Sequence, residues 1–176
     1  LDQVTSGLLV VAKHTRSHEL LADLFRKRLV RKTYRAICLG ADPGAEGVVE
    51  GALGRHPTRR RKMALLPAGR HSLTQFARAA ARAPLVGLLL HPVTGRTHQI
   101  RVHLESLRCP IVLDTLYGYD PKRWPLPALN PLLRDYPGIL LHAERLEFTH
   151  PTSREAMSFT AEAPEAFRRV WNEAFS

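Results

Sequence analysis

Three short segments of this 176-residue chain carry side chains that could act on a substrate. The first, Leu1-Asp2-Gln3-Val4-Thr5-Ser6-Gly7, sets a lone carboxylate just ahead of a Thr-Ser-Gly turn. On spacing alone a turn former is the simpler reading of that carboxylate. The second, Thr94-Gly95-Arg96-Thr97-His98-Gln99-Ile100-Arg101-Val102-His103-Leu104, runs from a glycine turn into a helix. The first amides of such a helix suit a phosphate, and Arg96 and Arg101 add guanidinium forks. Arg101 lies between Ile100 and Val102, near a buried face, where it requires a carboxylate or phosphate partner. The third, Arg31-Lys32-Thr33-Tyr34-Arg35-Ala36, sets a tyrosine in a strand behind two cations. A core tyrosine with its hydroxyl satisfied is the simpler reading of that spacing taken alone.

Charge points to the kind of partner. The chain has 26 basic and 16 acidic residues, a net charge of +10, and most of its cations are arginine. This balance calls for an anionic partner, and the planar guanidinium suits RNA because it grips phosphate bidentately and stacks on bases. A GC-rich coding bias also raises arginine, but it explains the run Arg59-Arg60-Arg61-Lys62 less well. That run is either an RNA-gripping loop or a solvated one. Cys38 and Cys109 are too few for a disulfide framework or a zinc site. His98 and His103, five positions apart, would face different ways on a helix, so no metal is expected. Apolar runs such as Gly7–Ala12 and Leu85–Leu90 are too short to span a bilayer, and no signal segment opens the chain. A cytoplasmic protein without a membrane role is expected.

The elements that must position these groups follow from periodicity. A continuous apolar run predicts a strand over Thr5–Lys13. Thr15 then caps a helix over Arg16–Arg28 whose apolar face is Leu20, Leu21, Leu24 and Phe25. Strands are expected over Lys32–Leu39, Gly47–Leu53, Ser72–Arg82 and Leu85–His91. A helix capped by Thr97 or a neighbour extends through Leu107. Pro121–Pro137, with its five prolines, reads as a surface insertion rather than an element. Strands over Ile139–Phe148 and Ala156–Ala161 and a helix over Pro164–Phe175 complete the chain. The sum is an α+β domain built on a mixed, mainly antiparallel sheet with a few packed helices.

Taken in order, the three segments resemble the RluA-type pseudouridine synthases. That family's first motif is His-Arg-Leu-Asp, two variable residues, then Thr-Ser-Gly; this chain begins inside it, at Leu1-Asp2. A Lys-x-Tyr strand follows as Lys32-Thr33-Tyr34, and Thr-Gly-Arg-Thr-His-Gln-Ile-Arg-Val-His stands unbroken at Thr94–His103. Arg55-His56-Pro57-Thr58, Arg61-Lys62-Met63, Gly69-Arg70, Tyr117-Gly118, Leu141-His142-Ala143 and His150-Pro151 extend the similarity over nearly the whole chain. One departure is local: Leu113-Asp114 stands where the family usually has Gly-Asp.

The resemblance implies a pseudouridine synthase catalytic domain over residues 1–176 that lacks its N-terminal part, including an arginine which helps extrude the target base. It implies an isomerase acting on uridines of rRNA or tRNA, without a cofactor, as a monomer. Asp2 corresponds to the family's nucleophile, Arg101 to the arginine paired with it, and Tyr34 to the tyrosine set against the base. Leu141 corresponds to an apolar residue of the base pocket. Arg96, His98 and the run Arg59, Arg60, Arg61 and Lys62 are the expected RNA contacts. Two other readings stay open: an RNA-binding protein that keeps the fold without catalysis, and a small-subunit-type rRNA pseudouridine synthase.

Overall fold

The computed structural model describes residues 1–176. Its elements in chain order are β1 (Ser6–Gly7), α1 (Thr15–Arg26), β2 (Arg31–Leu39), β3 (Glu46–Arg55), β4 (Met63–Leu65), β5 (Arg70–Arg82) and β6 (Leu85–Pro92). α2 (Gln99–Ser106), α3 (Asn130–Arg134), β7 (Leu141–Thr149), β8 (Ala156–Thr160) and α4 (Glu165–Phe175) follow. The strands form one eight-stranded sheet ordered β1-β7-β2-β6-β5-β3-β4, with β8 also on β7. Only the β1–β7 pair is parallel, so the fold is α+β on a mainly antiparallel sheet, as the periodicity predicts.

Helices cover both faces of the sheet centre, and this explains the unbroken burial of Ala36–Leu39 and Leu85–Leu88 there. Tyr34 pairs with Leu90 on β6. Side chains alternate along a strand, so Leu90 and Gly87 point to opposite faces. On the Gly87 side lies α4, driven down by Phe167, Val170 and Ala174. Its Trp171 ring stands 2.5 Å from where a Cβ on Gly87 would be, so only glycine admits the helix. On the other side lies α2, whose His103 bonds Ser72 and Thr74 of β5. Leu104, Cys109, Ile111 and Val112 continue the core beneath it.

Four sequence expectations are corrected. The strand expected over Thr5–Lys13 is only Ser6–Gly7; Leu9 and Val11 are 67% and 74% exposed. The edge of β7 beyond Ala143 is taken by β8, from Arg145↔Thr160 onward, leaving the apolar run without a partner strand. Thr15 does not cap α1: it is the first helical residue, behind His14, and the helix stops at Arg26 with no fully buried residue. Nor does Thr97 cap α2; His98 holds that position, with φ +55 and no side-chain cap bond. The proline-rich stretch is not merely a surface insertion. It contains α3 and two 3-10 turns, and it sinks Leu129 and Leu133 into the core. Proline at the first positions of those turns costs nothing, because the missing amide would be unpaired there.

Candidate active site

The connection from Leu1 to β1 is held close to the sheet. Thr5 donates its backbone N–H to the Asp2 carbonyl at 3.2 Å, and its hydroxyl to Asp2 Oδ1. Gly7 anchors the far end at φ +110, and a Cβ there would stand 2.3 Å from the Ala143 carbonyl oxygen. Any side chain would push this segment off β7, which gives the Thr-Ser-Gly sequence its physical reason.

Opposite stands the first turn of α2. Arg101 is 6% exposed and lies between two carboxylates. Its Nη1 donates to Asp2 Oδ2 at 3.0 Å, while Nε and Nη2 grip Asp114 in a fork, both at 2.7 Å. Burial pulls the guanidinium pKa down, but the bonds and charges of Asp114 and Asp2 outweigh it and leave the pKa raised. A buried cation satisfied on both sides in this way stays charged and fixed in orientation. The Tyr117 ring supports it from below, 4.7 Å from Cζ.

His98 completes this end. The Tyr117 hydroxyl accepts the Met63 N–H at 2.8 Å, so its own proton is free to go to His98 Nδ1, also at 2.8 Å. In a neutral imidazole this leaves the Nε2 proton facing Asp2 Oδ2, 4.0 Å away. Burial, and then the Arg101 charge, lower the His98 pKa and keep the ring neutral. His98 adopts the left-handed φ of +55, a strained conformation for a residue with a side chain and a frequent mark of functional positions.

Asp2, Tyr34, Arg96, His98, Arg101 and Leu141 all line one cleft of about 430 Å³, together with Lys32, Phe25 and the Thr94–Thr97 turn. Tyr34 reaches it from β2, beside a register shift between Thr33 and Tyr34 in the pairing with β7. Burial and then the Asp2 charge raise its pKa, so the phenol is protonated at neutral pH. Leu141 is buried at the start of β7. The turn ahead of α2 is tied by Gln99, whose Oε1 accepts from the Thr94 hydroxyl at 2.7 Å and from the Arg96 N–H at 3.1 Å. That amide is therefore spent within the protein and is not open to a phosphate.

The basic run does not line this cleft, and its members part company. Arg59, Arg60 and Arg61 are exposed. Lys62 turns inward, with Nζ 2.6 Å from Glu105 and 5.3 Å from the centre of the Tyr117 ring, and its side chain is 11% exposed. Lys62 is thus a structural cation rather than a loop contact. Sequence reasoning also missed Asp114 and Tyr117. The available signal was Leu113-Asp114 in the place of Gly-Asp: Leu113 takes the left-handed φ of +73 that glycine favours, and so keeps the turn that aims Asp114 at Arg101.

The family model described as RNA pseudouridylate synthase matches residues 1–106. "Ribosomal large subunit pseudouridine synthase D" of Vibrio cholerae is 39% identical over 168 residues, covering 94% of this chain and 51% of that protein. An uncharacterized RNA pseudouridine synthase of Bacillus subtilis is 36% identical over 170 residues, covering 97% of this chain and 56% of that one. The chain thus spans about half the length of the curated relatives it matches. Among solved structures, human RNA Pseudouridylate Synthase Domain Containing 1 superposes with a TM-score of 0.75 at 30% identity, covering 93% of this chain and 67% of that one. The human Domain Containing 4 protein gives 0.76 at 26% identity, covering 99% and 73%. This chain belongs to the RNA pseudouridylate synthase family.

Proposed function

We propose that the protein converts uridine in RNA to pseudouridine, with Asp2 as the nucleophile. The observation that carries this reading is the Asp2–Arg101–Asp114 arrangement at the end of a cleft that also holds Tyr34. The isomerisation breaks the N1–C1′ bond, turns the base and forms C5–C1′; the proton lost from C5 ends on N1. Nothing else is consumed, so no redox partner or group donor is required. The Asp2 carboxylate bonds to C1′ as N1 leaves with the electron pair of the N1–C1′ bond, and it is released as a carboxylate when C5 of the turned base closes on C1′. Arg101 aims that carboxylate through Nη1, and Asp114 fixes Arg101 through Nε and Nη2. Tyr34, with its phenol protonated, stacks on the base and relays a proton during the rearrangement. Leu141 forms an apolar wall for the uracil, and His98 and Arg96 hold the nucleotide at the rim. A paired uridine must first be flipped out, at a cost of a few kcal/mol that phosphate contacts offset.

Large-subunit rRNA is the first substrate to test, since relatives carry that name, with tRNA the other. Either substrate fits a cytoplasmic enzyme, and no helix here is long and apolar enough to cross a membrane. One chain supplies every residue of the cleft, so a monomer suffices. The decisive experiment is Asp2→Asn, assayed by pseudouridine formation in unmodified rRNA and tRNA transcripts. Turnover should fall by at least about 10³-fold while RNA affinity stays within about 2-fold, because the amide keeps the shape and loses the nucleophile. Equal turnover removes Asp2 from its role. A wild-type protein that binds both RNAs without modifying either is a binding module.

A further inference from the structure

The cations of the cleft are unevenly partnered. Arg101 is bonded to both Asp2 and Asp114. Two other lining cations, Lys32 and Arg96, have no carboxylate partner. Lys32, two residues before Tyr34 on β2, is half-buried, and its only hydrogen bond is a long one, 3.4 Å to the Thr94 carbonyl. Burial alone lowers its pKa, with no opposing charge to restore it. Arg96 gives its Nε to the His71 carbonyl at 3.1 Å and otherwise faces the repulsion of Arg70 and Arg28.

Holding an ammonium out of water on a single weak acceptor is costly, and nothing in the fold offsets that cost. Elsewhere this chain pairs its partly buried cations: Lys62 has Glu105, and Arg35 has Glu144. The exception lies inside the substrate cleft. An uncharged uracil carbonyl answers neither charge, whereas a phosphodiester brings one negative charge and two free oxygens. One oxygen can go to the strand cation and the other to the turn cation.

We propose that Lys32 and Arg96 form the seat for a backbone phosphate of the flipped nucleotide, which fixes the sugar so that C1′ is presented to Asp2. Lys32 is then a positioning residue. This inference rests on the reading of the cleft as a uridine site.

The test compares Lys32→Met and Lys32→Arg with the wild-type protein on unmodified large-subunit rRNA and tRNA transcripts. Pseudouridine formation is followed across a series of KCl concentrations, together with thermal unfolding. Lys32→Met should raise KM about 10-fold and lower kcat about 10-fold, since the sugar is no longer held with C1′ towards Asp2. It should also flatten the plot of log kcat/KM against log salt by about 0.7 to 1, the signature of one phosphate no longer gripped. The Tm should not fall, because an unmatched buried charge has been replaced by an apolar chain of similar length. Lys32→Arg should restore the slope. An unchanged slope, or a lower Tm with an unchanged slope, overturns the proposal and makes Lys32 structural. The same slopes measured for RNA binding in the Asp2→Asn background separate the two readings. If the wild-type protein makes no pseudouridine, the enzyme reading fails, while the binding slopes still decide the phosphate seat.

Discussion

The residue whose meaning changes most is Asp114. Asp114 takes Nε and Nη2 of Arg101, which leaves Nη1 as the one guanidinium nitrogen aimed at Asp2. Asp114 is 1% exposed and takes two of the three hydrogen bonds that fix Arg101. Asp114→Asn should therefore lower kcat by about 10²-fold with Asp2 intact, since a catalytic group misplaced by about 1 Å costs that much. It should also destabilise the fold by about 3 kcal/mol, the scale for breaking one side of a buried ion pair. Paired kinetic and urea-unfolding measurements check both; kcat within 3-fold of wild type would show that Arg101 is held by other means. That Asp2, Tyr34 and Arg101 meet in one cleft was legible only through the resemblance, from three separate segments of which Thr94–His103 alone is long and unbroken. Asp114 was missed because leucine stands where glycine would have announced the left-handed turn that aims it.

At the scale of elements, the long strands and α4 were readable because their apolar spacing agrees with the contacts they make. The start of α2 was not. A threonine ahead of an apolar run predicts a hydroxyl cap, but Gln99 supersedes it by reaching back to the turn and across to the Leu73 carbonyl. The same packing fixes His103. Ser72 gives its proton to the Gly51 carbonyl, so it accepts from His103 Nε2, and His103 Nδ1 accepts from the Thr74 hydroxyl. A second proton on the ring would reverse one of these bonds, and burial lowers its pKa to about 4. An unfolded histidine titrates near 6.5. Between these values the unfolded chain binds more protons, so stability is complete above pH 6.5 and falls as acid is added, by roughly 3 kcal/mol at pH 4. Urea midpoints at pH 7 and pH 4.5 should show a steeper loss for wild type than for His103→Gln, which cannot take up the proton. Parallel profiles would place the acid sensitivity elsewhere.

Over the whole molecule, the charge of +10 divides into cations that serve the fold and cations left for a partner. Composition cannot make that division, because Arg59, Arg60, Arg61 and Lys62 are one run in the sequence and two populations in space. The three arginines are exposed on the loop between β3 and β4, while Lys62 is clamped between Glu105 and the Tyr117 ring beneath Arg101. Replacing the arginines together with alanine should raise KM for RNA, leave kcat nearly unchanged and flatten the salt dependence of binding by about 0.7 for each phosphate the loop no longer grips. Stability should barely move, because exposed charges contribute little to it. Lys62→Ala should do the opposite. It removes the partner of a mostly buried ion pair and loosens the tyrosine that supports both Arg101 and His98, so Tm and kcat should fall while the salt slope stays at its wild-type value. Anisotropy titrations of labelled rRNA fragments at several KCl concentrations, with thermal unfolding of the same samples, give all the quantities. If Lys62→Ala flattened the slope as the arginine variant does, its inward pairing would yield to RNA, and the run would act as one grip after all.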